Sequence, residues 1–207
     1  MDIDIFNQNT VKSATINLLD NIIKLRTMRS FIHIAGNPNN EMTTLGLNIA
    51  NNEKRPIIYI DTSNNINLNM KISDNVYIFQ TNKFSEIINL LKELPRFNIK
   101  AVILDNLNNI IFPEEEDKFE ITEKRYLLFN KYIREILDQC YSKMITLIAF
   151  NSISDYSNKP YCYSSQLKEI IDHDLLITEV KFFKNKLRMK LLNIMTKEET
   201  ELELERW

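Results

Sequence analysis

Residues between positions 36 and 43 have the types and spacing of a phosphate-binding loop. Gly36 follows an apolar run, a polar stretch occupies 37–40, and Thr43 opens an amphipathic segment. This order and length fit the pattern G-x-x-x-x-G-K-[ST], with Gly36 as the first glycine and Thr43 in the Ser/Thr position. Two decisive residues differ from the pattern, because Glu41 replaces the second glycine and Met42 replaces the lysine.

These two replacements predict that the loop does not hold a nucleotide. Such a loop binds phosphate through inward-pointing backbone N–H groups, a helix N-terminus and the lysine charge. Met42 has no charge, and the Glu41 carboxylate would lie close to the phosphates. Two like charges about 4 Å apart repel by roughly 4 kcal/mol at an effective dielectric constant near 20. At about 1.4 kcal/mol per decade, that repulsion removes roughly three decades of affinity, so we expect no cofactor.

Two apolar strands are predicted to lie beside this loop and to end in polar residues. The first covers residues 57–63 (IIYIDTS), and the second covers 101–105 (AVILD) and ends in Asp105. An apolar strand that ends in aspartate is typical of the strand that carries a magnesium-coordinating carboxylate. Alternating apolar runs and helical patterns predict an α/β fold with a mostly parallel sheet and helices on both of its faces.

The remaining elements follow from hydrophobic periodicity. In chain order, the pattern predicts a lead-in helix at 9–25, a strand at 75–80, a helix at 84–94, a strand at 100–105, a helix at 121–141 and a strand at 144–150. A hairpin formed by 175–183 and 186–194 follows, and then a short edge strand at 201–207. A polar loop is predicted at 151–166. The chain is expected to form one core domain at 31–207, preceded by the lead-in segment at 1–30.

The loop and the two strands together resemble the core of the RecA-type recombinases. The stretch GNPNNEMTTLGLNIA is similar to that family's first nucleotide motif, IIYIDTS to its second strand and AVILDNL to its third motif. The family usually has a catalytic glutamate directly after the Asp-Thr of the second strand, and Ser63 stands there in this chain. The resemblance therefore implies a RecA-like domain that has lost its ATPase chemistry and is not an enzyme.

The resemblance also implies a function. It predicts a recombinase paralogue of the kind found in Shu-type mediator complexes, located in the nucleus. Such a subunit pairs with another RecA-like paralogue and helps the recombinase filament to load or persist on single-stranded or branched DNA in homologous recombination repair. The alternative is a structural RecA-like subunit of an Elongator-type tRNA-modification assembly, which would place the protein in the cytoplasm. A working ATPase remains only if Thr43 and backbone amides suffice for binding.

A basic stretch near the C-terminus is the candidate DNA-binding surface. It has five cations, Lys181, Lys184, Lys186, Arg188 and Lys190, in a chain whose net charge is −2. Residues 186, 188 and 190 share one strand face because strand side chains alternate. Lys159 and Tyr161 in the preceding loop add the mixture of charge and aromatic rings that suits single-stranded nucleic acid. The alternative reading, weighted equally, is an exposed edge that lysines protect from aggregation.

Other candidate chemical groups point to no further site. His33 and His173 are far apart in sequence and lack a serine or cysteine nucleophile motif, so both are expected to be structural. Cys140 and Cys162 are too few for a zinc site or a disulfide framework and fit a reducing compartment. No apolar run approaches 18 residues, so no membrane association is expected.

Overall fold

The computed structural model describes residues 30–37, 41–67, 70–95, 98–111, 123–152, 169–184 and 186–205. The predicted helix at 9–25 and most of the predicted loop at 151–166 lie outside these residues.

Eight strands form a single mixed sheet. They are β1 (Phe31–Gly36), β2 (Ile57–Asp61), β3 (Val76–Gln80), β4 (Ala101–Asp105), β5 (Thr146–Ser152), β6 (His173–Phe183), β7 (Lys186–Asn193) and β8 (Glu199–Glu205). Their order across the sheet is β3-β2-β4-β5-β1-β6-β7-β8. Neighbours from β3 to β6 are parallel, whereas β6, β7 and β8 are antiparallel. The four central strands β2, β4, β5 and β1 are apolar because both of their faces are buried.

Within the described residues, three α-helices cover the two faces of this sheet. Helix α1 (Glu41–Asn52) packs its leucines against one face, in a core that also includes Leu187, Met189 and Leu204 of the C-terminal strands. Helices α2 (Phe84–Glu93) and α3 (Glu123–Ser142) pack against the other face. A 3₁₀ turn (Leu107–Asn109) follows β4. The predicted class is confirmed: the protein is α/β, with a mostly parallel sheet and an antiparallel C-terminal hairpin.

Strand β5 begins two residues later than predicted because helix α3 ends in a capping motif. Met144 adopts a left-handed conformation with φ of 62°. The Ile145 N–H donates to the Cys140 carbonyl at 2.9 Å, and the Met144 N–H donates to the Tyr141 carbonyl at 3.2 Å. This is the bonding pattern of a Schellman cap. The cap uses Met144 and Ile145 as a turn, so the strand starts at Thr146.

Strand β8, in contrast, begins two residues earlier than the predicted edge strand. Lys197 adopts φ of 65°, and the Asn193 Oδ1 accepts hydrogen bonds from the N–H groups of Met195 and Thr196. This short turn returns the chain at once, so that β8 starts at Glu199. Within the described part of the chain, no helix has both the length and the hydrophobicity that are needed to cross a bilayer.

Candidate functional site

The loop residues singled out in the sequence meet at one edge of the sheet. Strands β1, β2 and β4 run in the same direction, so their carboxyl ends lie at the same edge. Helix α1 starts there at Glu41, shortly after β1 ends. In open α/β sheets this is the edge where ligands bind. We call the group formed by Glu41, Met42, Thr43, Tyr59 and Asp105 the carboxyl-edge site.

Three side chains of this site are joined by buried hydrogen bonds. The Thr43 hydroxyl donates to Asp105 Oδ2 at 2.7 Å. The Tyr59 hydroxyl donates to the same oxygen at 2.9 Å. All three residues are buried, so these bonds lie away from solvent. One carboxylate oxygen therefore receives two donors from the chain itself.

Burial sets the protonation behaviour of this group. Desolvation raises the pKa of Asp105 above its ordinary value, and the negative charge of Asp61 adds to that rise, whereas the hydrogen bonds from Thr43 and Tyr59 oppose it. Burial also raises the pKa of Tyr59 well above 10.0, with further contributions from Asp105. Tyr59 is therefore a neutral hydrogen-bond donor at neutral pH.

The two residues that replace the glycine and the lysine both lie in the first turn of α1. Met42 is 2% exposed and belongs to the core beneath α1. Glu41 is the first residue of α1, where a carboxylate is favoured by the partial positive charge of the helix N-terminus. Within the described residues, Glu41 Oε2 is buried and receives no hydrogen bond. The helix end that would attract a phosphate thus has an anion of its own.

Thr43 and Asp105 have the kinds of side chain that would meet a magnesium–nucleotide complex at this edge. Magnesium in such sites is held by a Ser/Thr hydroxyl and an aspartate that remain open to the ion. Here the Thr43 hydroxyl donates to Asp105, and Tyr59 occupies a second bonding position on the same carboxylate. Among the described residues, no group of three or more His, Cys, Asp or Glu side chains is arranged to hold a metal ion.

Gly36 and Ser63, the other two positions that were compared with the nucleotide motifs, have structural contacts. A Cβ atom on Gly36 would lie 2.9 Å from the Ile177 Cδ1 atom, so close packing of β1 against β6 favours glycine there. Ser63, in the position of the catalytic glutamate, follows β2. Its Oγ accepts a hydrogen bond from the Asn109 side chain at 2.6 Å, and its N–H donates to Asp61 Oδ1 at 3.1 Å.

Sequence reasoning missed three residues of this edge. Tyr59 was treated only as part of an apolar strand, although a buried tyrosine hydroxyl normally needs a partner. Gly46 lies inside α1, and a Cβ atom there would lie 2.6 Å from the Tyr59 hydroxyl. This glycine lets Tyr59 pass beneath α1 and reach Asp105. Asp61 is fully buried and accepts hydrogen bonds from the backbone of Ser63, Asn65 and Ile66.

The basic candidates lie on the exposed face of the C-terminal strands. In β7, Lys186, Arg188 and Lys190 alternate with the buried residues Leu187 and Met189. The exposed face of β6, β7 and β8 includes Glu179, Lys181, Phe183, Lys186, Arg188, Lys190, Glu201 and Glu203. We call it the charged face.

Glutamates of β6 and β8 contact most of these cations. Arg188 lies 3.0 Å from Glu201 and 3.7 Å from Glu203, and Lys186 also pairs with Glu203. Lys181 and Lys190 contact Glu179 at 2.6 and 3.1 Å. The lysine hydrogen bonds lower the pKa values of Glu179 and Glu203, so both glutamates stay charged at neutral pH. The sequence did not predict this pairing, because it required the register between β7 and β8.

The remaining DNA-binding candidates divide between the hairpin tip and undescribed residues. Lys184 lies at the tip in a left-handed conformation with φ of 46°. Beside it, Phe182 and Phe183 are 52% and 50% exposed, and the Arg188 guanidinium lies 5.2 Å from the centre of the Phe183 ring. Lys159 and Tyr161 lie outside the described residues. The structure thus adds two exposed aromatic rings that the sequence reading did not select.

Other reactive groups are enclosed. Burial raises the pKa of the Cys140 thiol to about 12, which keeps it protonated. His33 is buried on β1 and its Nδ1 lies 2.8 Å from Asp174 Oδ1 on the neighbouring strand β6. Cys162 lies outside the described residues.

Comparison with known proteins does not identify the chain. A scan against protein-family models found no match, and a search of curated proteins found no significant similarity.

Proposed function

We propose that this protein is a non-catalytic RecA-like paralogue that acts through its surfaces. The observation that carries the proposal is the first turn of α1, where the Glu41 carboxylate lies at the helix N-terminus and buried Met42 stands in place of the lysine. Thr43 and Asp105, the residue types that hold magnesium in working nucleotide sites, are joined here by a buried hydrogen bond that Tyr59 shares.

The sheet order supports a relationship to nucleotide-binding folds. The strand that leads into the loop and the strand that ends in Asp105 are both parallel and are separated by β5. They deliver Thr43 and Asp105 to one point at the carboxyl edge. The chain keeps this arrangement of strands, but its own side chains bond to one another there. We infer a role that needs the folded domain and not a bound nucleotide.

Within this role, we propose pairing with another RecA-like paralogue in a Shu-type complex. The pair would assist a recombinase filament on single-stranded or branched DNA during homologous recombination repair in the nucleus. Weak DNA contact by this chain would come from the hairpin tip, where Lys184 lies beside Phe182 and Phe183. Exposed aromatic rings stack on bases, and lysine attracts phosphate.

A second candidate is a structural subunit of an Elongator-type tRNA-modification assembly in the cytoplasm. The observation that favours it is the pairing of Lys181, Lys186, Arg188 and Lys190 with glutamates. A face whose cations are neutralised attracts nucleic acid weakly. Such a subunit would need protein contacts and no nucleic-acid contact of its own.

Identification of the partner separates the two candidates. The full chain with an affinity tag would be recovered from the cells that produce it, and the co-purifying proteins identified. We expect a second RecA-like protein and a recombinase. Recovery of tRNA-modification subunits would favour the second candidate and contradict the first.

Loss of the gene product gives an independent test. Cells that lack the protein should become sensitive to DNA-damaging agents, and a Met42→Leu variant should restore resistance because the buried position tolerates another apolar residue of similar size. Normal resistance together with hypomodified tRNA would contradict the recombination role.

A further inference from the structure

The two edges of the sheet differ in charge. Among the described residues, β3 forms one edge and β8 the other. Strand β8 has four glutamates, which discourage pairing with a further strand. Strand β3 (VYIFQ) has no charged residue, and its Tyr77 and Phe79 side chains are 52% and 39% exposed. An uncharged edge with exposed aromatic rings is a template for strand addition.

Among the described residues, no strand bonds to the outer side of the β3 backbone. The Ile57 N–H donates to the Asn75 carbonyl, and β2 and β3 are parallel. In a parallel pair of this register, Tyr77 and Phe79 bond to β2, while Val76, Ile78 and Gln80 direct their backbone groups outward. The Val76 N–H is used by the Ser73 carbonyl. The outer edge therefore offers the N–H groups of Ile78 and Gln80 and the carbonyls of Val76, Ile78 and Gln80.

We propose that β3 pairs with β3 of a second copy of this chain in an antiparallel, two-fold arrangement centred on Ile78. Ile78 of each copy donates to and accepts from Ile78 of the other. The Gln80 N–H of each copy donates to the Val76 carbonyl of the other. A two-fold axis at this hydrogen-bonded pair uses both free N–H groups of each strand and makes the interface isologous.

The side chains of the strand are self-complementary in this register. Tyr77 of one copy lies opposite Phe79 of the other at a non-hydrogen-bonded pair, where side chains approach most closely. Aromatic pairs at such positions stabilise sheets. Exposed Asp74 precedes the strand and exposed Lys83 follows it, and the Lys83 ammonium also lies 3.7 Å from Glu86. An antiparallel axis brings Asp74 of one copy toward Lys83 of the other.

This pairing is independent of the proposed function, since it uses the edge remote from both the hairpin and β8. It would join two sheets into one continuous sheet. It also leaves the charged face and the hairpin tip open in each copy.

Sedimentation velocity over a concentration series tests the proposal. The full chain should shift from one chain to two as concentration rises. A Tyr77→Lys, Phe79→Lys variant and a Tyr77→Glu, Phe79→Glu variant should each remain monomeric, because like charges then lie opposite each other. Their equal mixture should recover the dimer, because lysine then faces glutamate. Both positions are exposed, so both variants should match the parent in circular dichroism.

A matched control excludes general stickiness. A Phe182→Lys, Phe183→Lys variant removes two equally exposed rings from the hairpin tip and should dimerise as the parent does. Hydrogen exchange adds a backbone readout: the Ile78 and Gln80 amides should gain protection on dimerisation, while the Tyr77 and Phe79 amides, already bonded to β2, should not change. A parent that stays monomeric, open polymers instead of dimers, or a mixture that fails to pair would each overturn the proposal.

Discussion

The carboxyl-edge site and the charged face both satisfy their polar groups from within the chain, but at very different depths. At the carboxyl edge, Thr43 and Tyr59 bond to Asp105 in the buried interior. On the charged face, Lys186 and Arg188 pair with Glu203 at the surface. A buried group that loses its partner costs about 1–3 kcal/mol, whereas an exposed ion pair contributes roughly 0–1 kcal/mol. The first region therefore determines the stability of the fold, and the second determines what its surface attracts.

The largest expected effect is at Met42. A Met42→Lys substitution places a charge in the core and should lower the free energy of unfolding by roughly 3 kcal/mol. A Met42→Leu control should change it by less than about 1.5 kcal/mol. Urea unfolding measures both. If Met42→Lys kept the parent's stability and gained ATP binding, the site would be an open loop that lacks only its lysine.

Gly46 tests whether Tyr59 is held in place by close packing. A Gly46→Ala substitution should destabilise the protein by about 2 kcal/mol, because its Cβ would collide with the Tyr59 hydroxyl. This loss should exceed the gain of about 1 kcal/mol that alanine brings to a helix.

The Tyr59→Phe background supplies the control for that prediction. Tyr59→Phe alone should cost about 1 kcal/mol through the lost hydrogen bond to Asp105. In this background Gly46→Ala should cost less than in the parent, since the clashing oxygen is gone. Strict additivity of the two changes would contradict the packing of Tyr59 beneath α1.

Asp105 gives a smaller effect with a defined pH dependence. Its pKa is raised in the folded protein, so its contribution to stability is fully present below the unfolded value near 3.8 and is lost as pH rises through the folded pKa. An Asp105→Asn variant still accepts from Thr43 and Tyr59 and has no such loss. We expect the variant to be about 1 kcal/mol more stable than the parent at pH 7, and this advantage to vanish near pH 4.

Urea unfolding at the two pH values measures this difference. An Asp74→Asn variant, changed at an exposed aspartate, is the matched control and should show no comparable gain. Destabilisation by Asp105→Asn at pH 7 would contradict the raised pKa of Asp105 in the folded protein.

The smallest effect on stability is expected on the charged face. A Glu203→Gln substitution should change the free energy of unfolding by less than about 0.5 kcal/mol. It should free Lys186 and partly free Arg188, and so strengthen binding to single-stranded DNA. Each new phosphate contact should steepen the log–log salt dependence by roughly 0.7.

Fluorescence anisotropy across a salt series measures this change, with Glu93→Gln on α2 as the control variant. Unchanged binding at every salt concentration would mean that the cations of β7 are not a masked nucleic-acid surface.

The periodicity of the sequence predicts which strands follow one another along the chain. It does not predict the contacts between strands that are distant in sequence. Apolar runs such as 101–105 and the alternation in β7 define their elements directly, because period and burial are local properties. The pairing of Arg188 with Glu201 depends on the register of β7 with β8, which no local pattern specifies. The contact between Tyr59 and Asp105 depends on the space for the Tyr59 side chain beneath α1, which the missing Cβ of Gly46 provides. A glycine within a helical pattern and a tyrosine within a buried strand are the only local signs of it.

The positions of strands at the edges of the sheet also depend on contacts that no local pattern specifies. One of the two alternatives for the basic stretch was an edge that lysines protect, yet among the described strands β8 lies outside β7 and forms the edge. The turn that starts β8 depends on the side chain of Asn193 and the left-handed Lys197. Strand β3 was predicted within one residue, but its position at the opposite edge follows only from the sheet order.

The central claim is that the chain's own side chains close the carboxyl-edge site. Thermal unfolding of the full chain with and without magnesium and ATP tests it most directly, because any ligand that binds the folded state raises the unfolding temperature. We expect no shift at millimolar nucleotide, for the parent and for Tyr59→Phe alike. A rise in unfolding temperature that saturates at micromolar nucleotide would show that the site is open and would contradict this account.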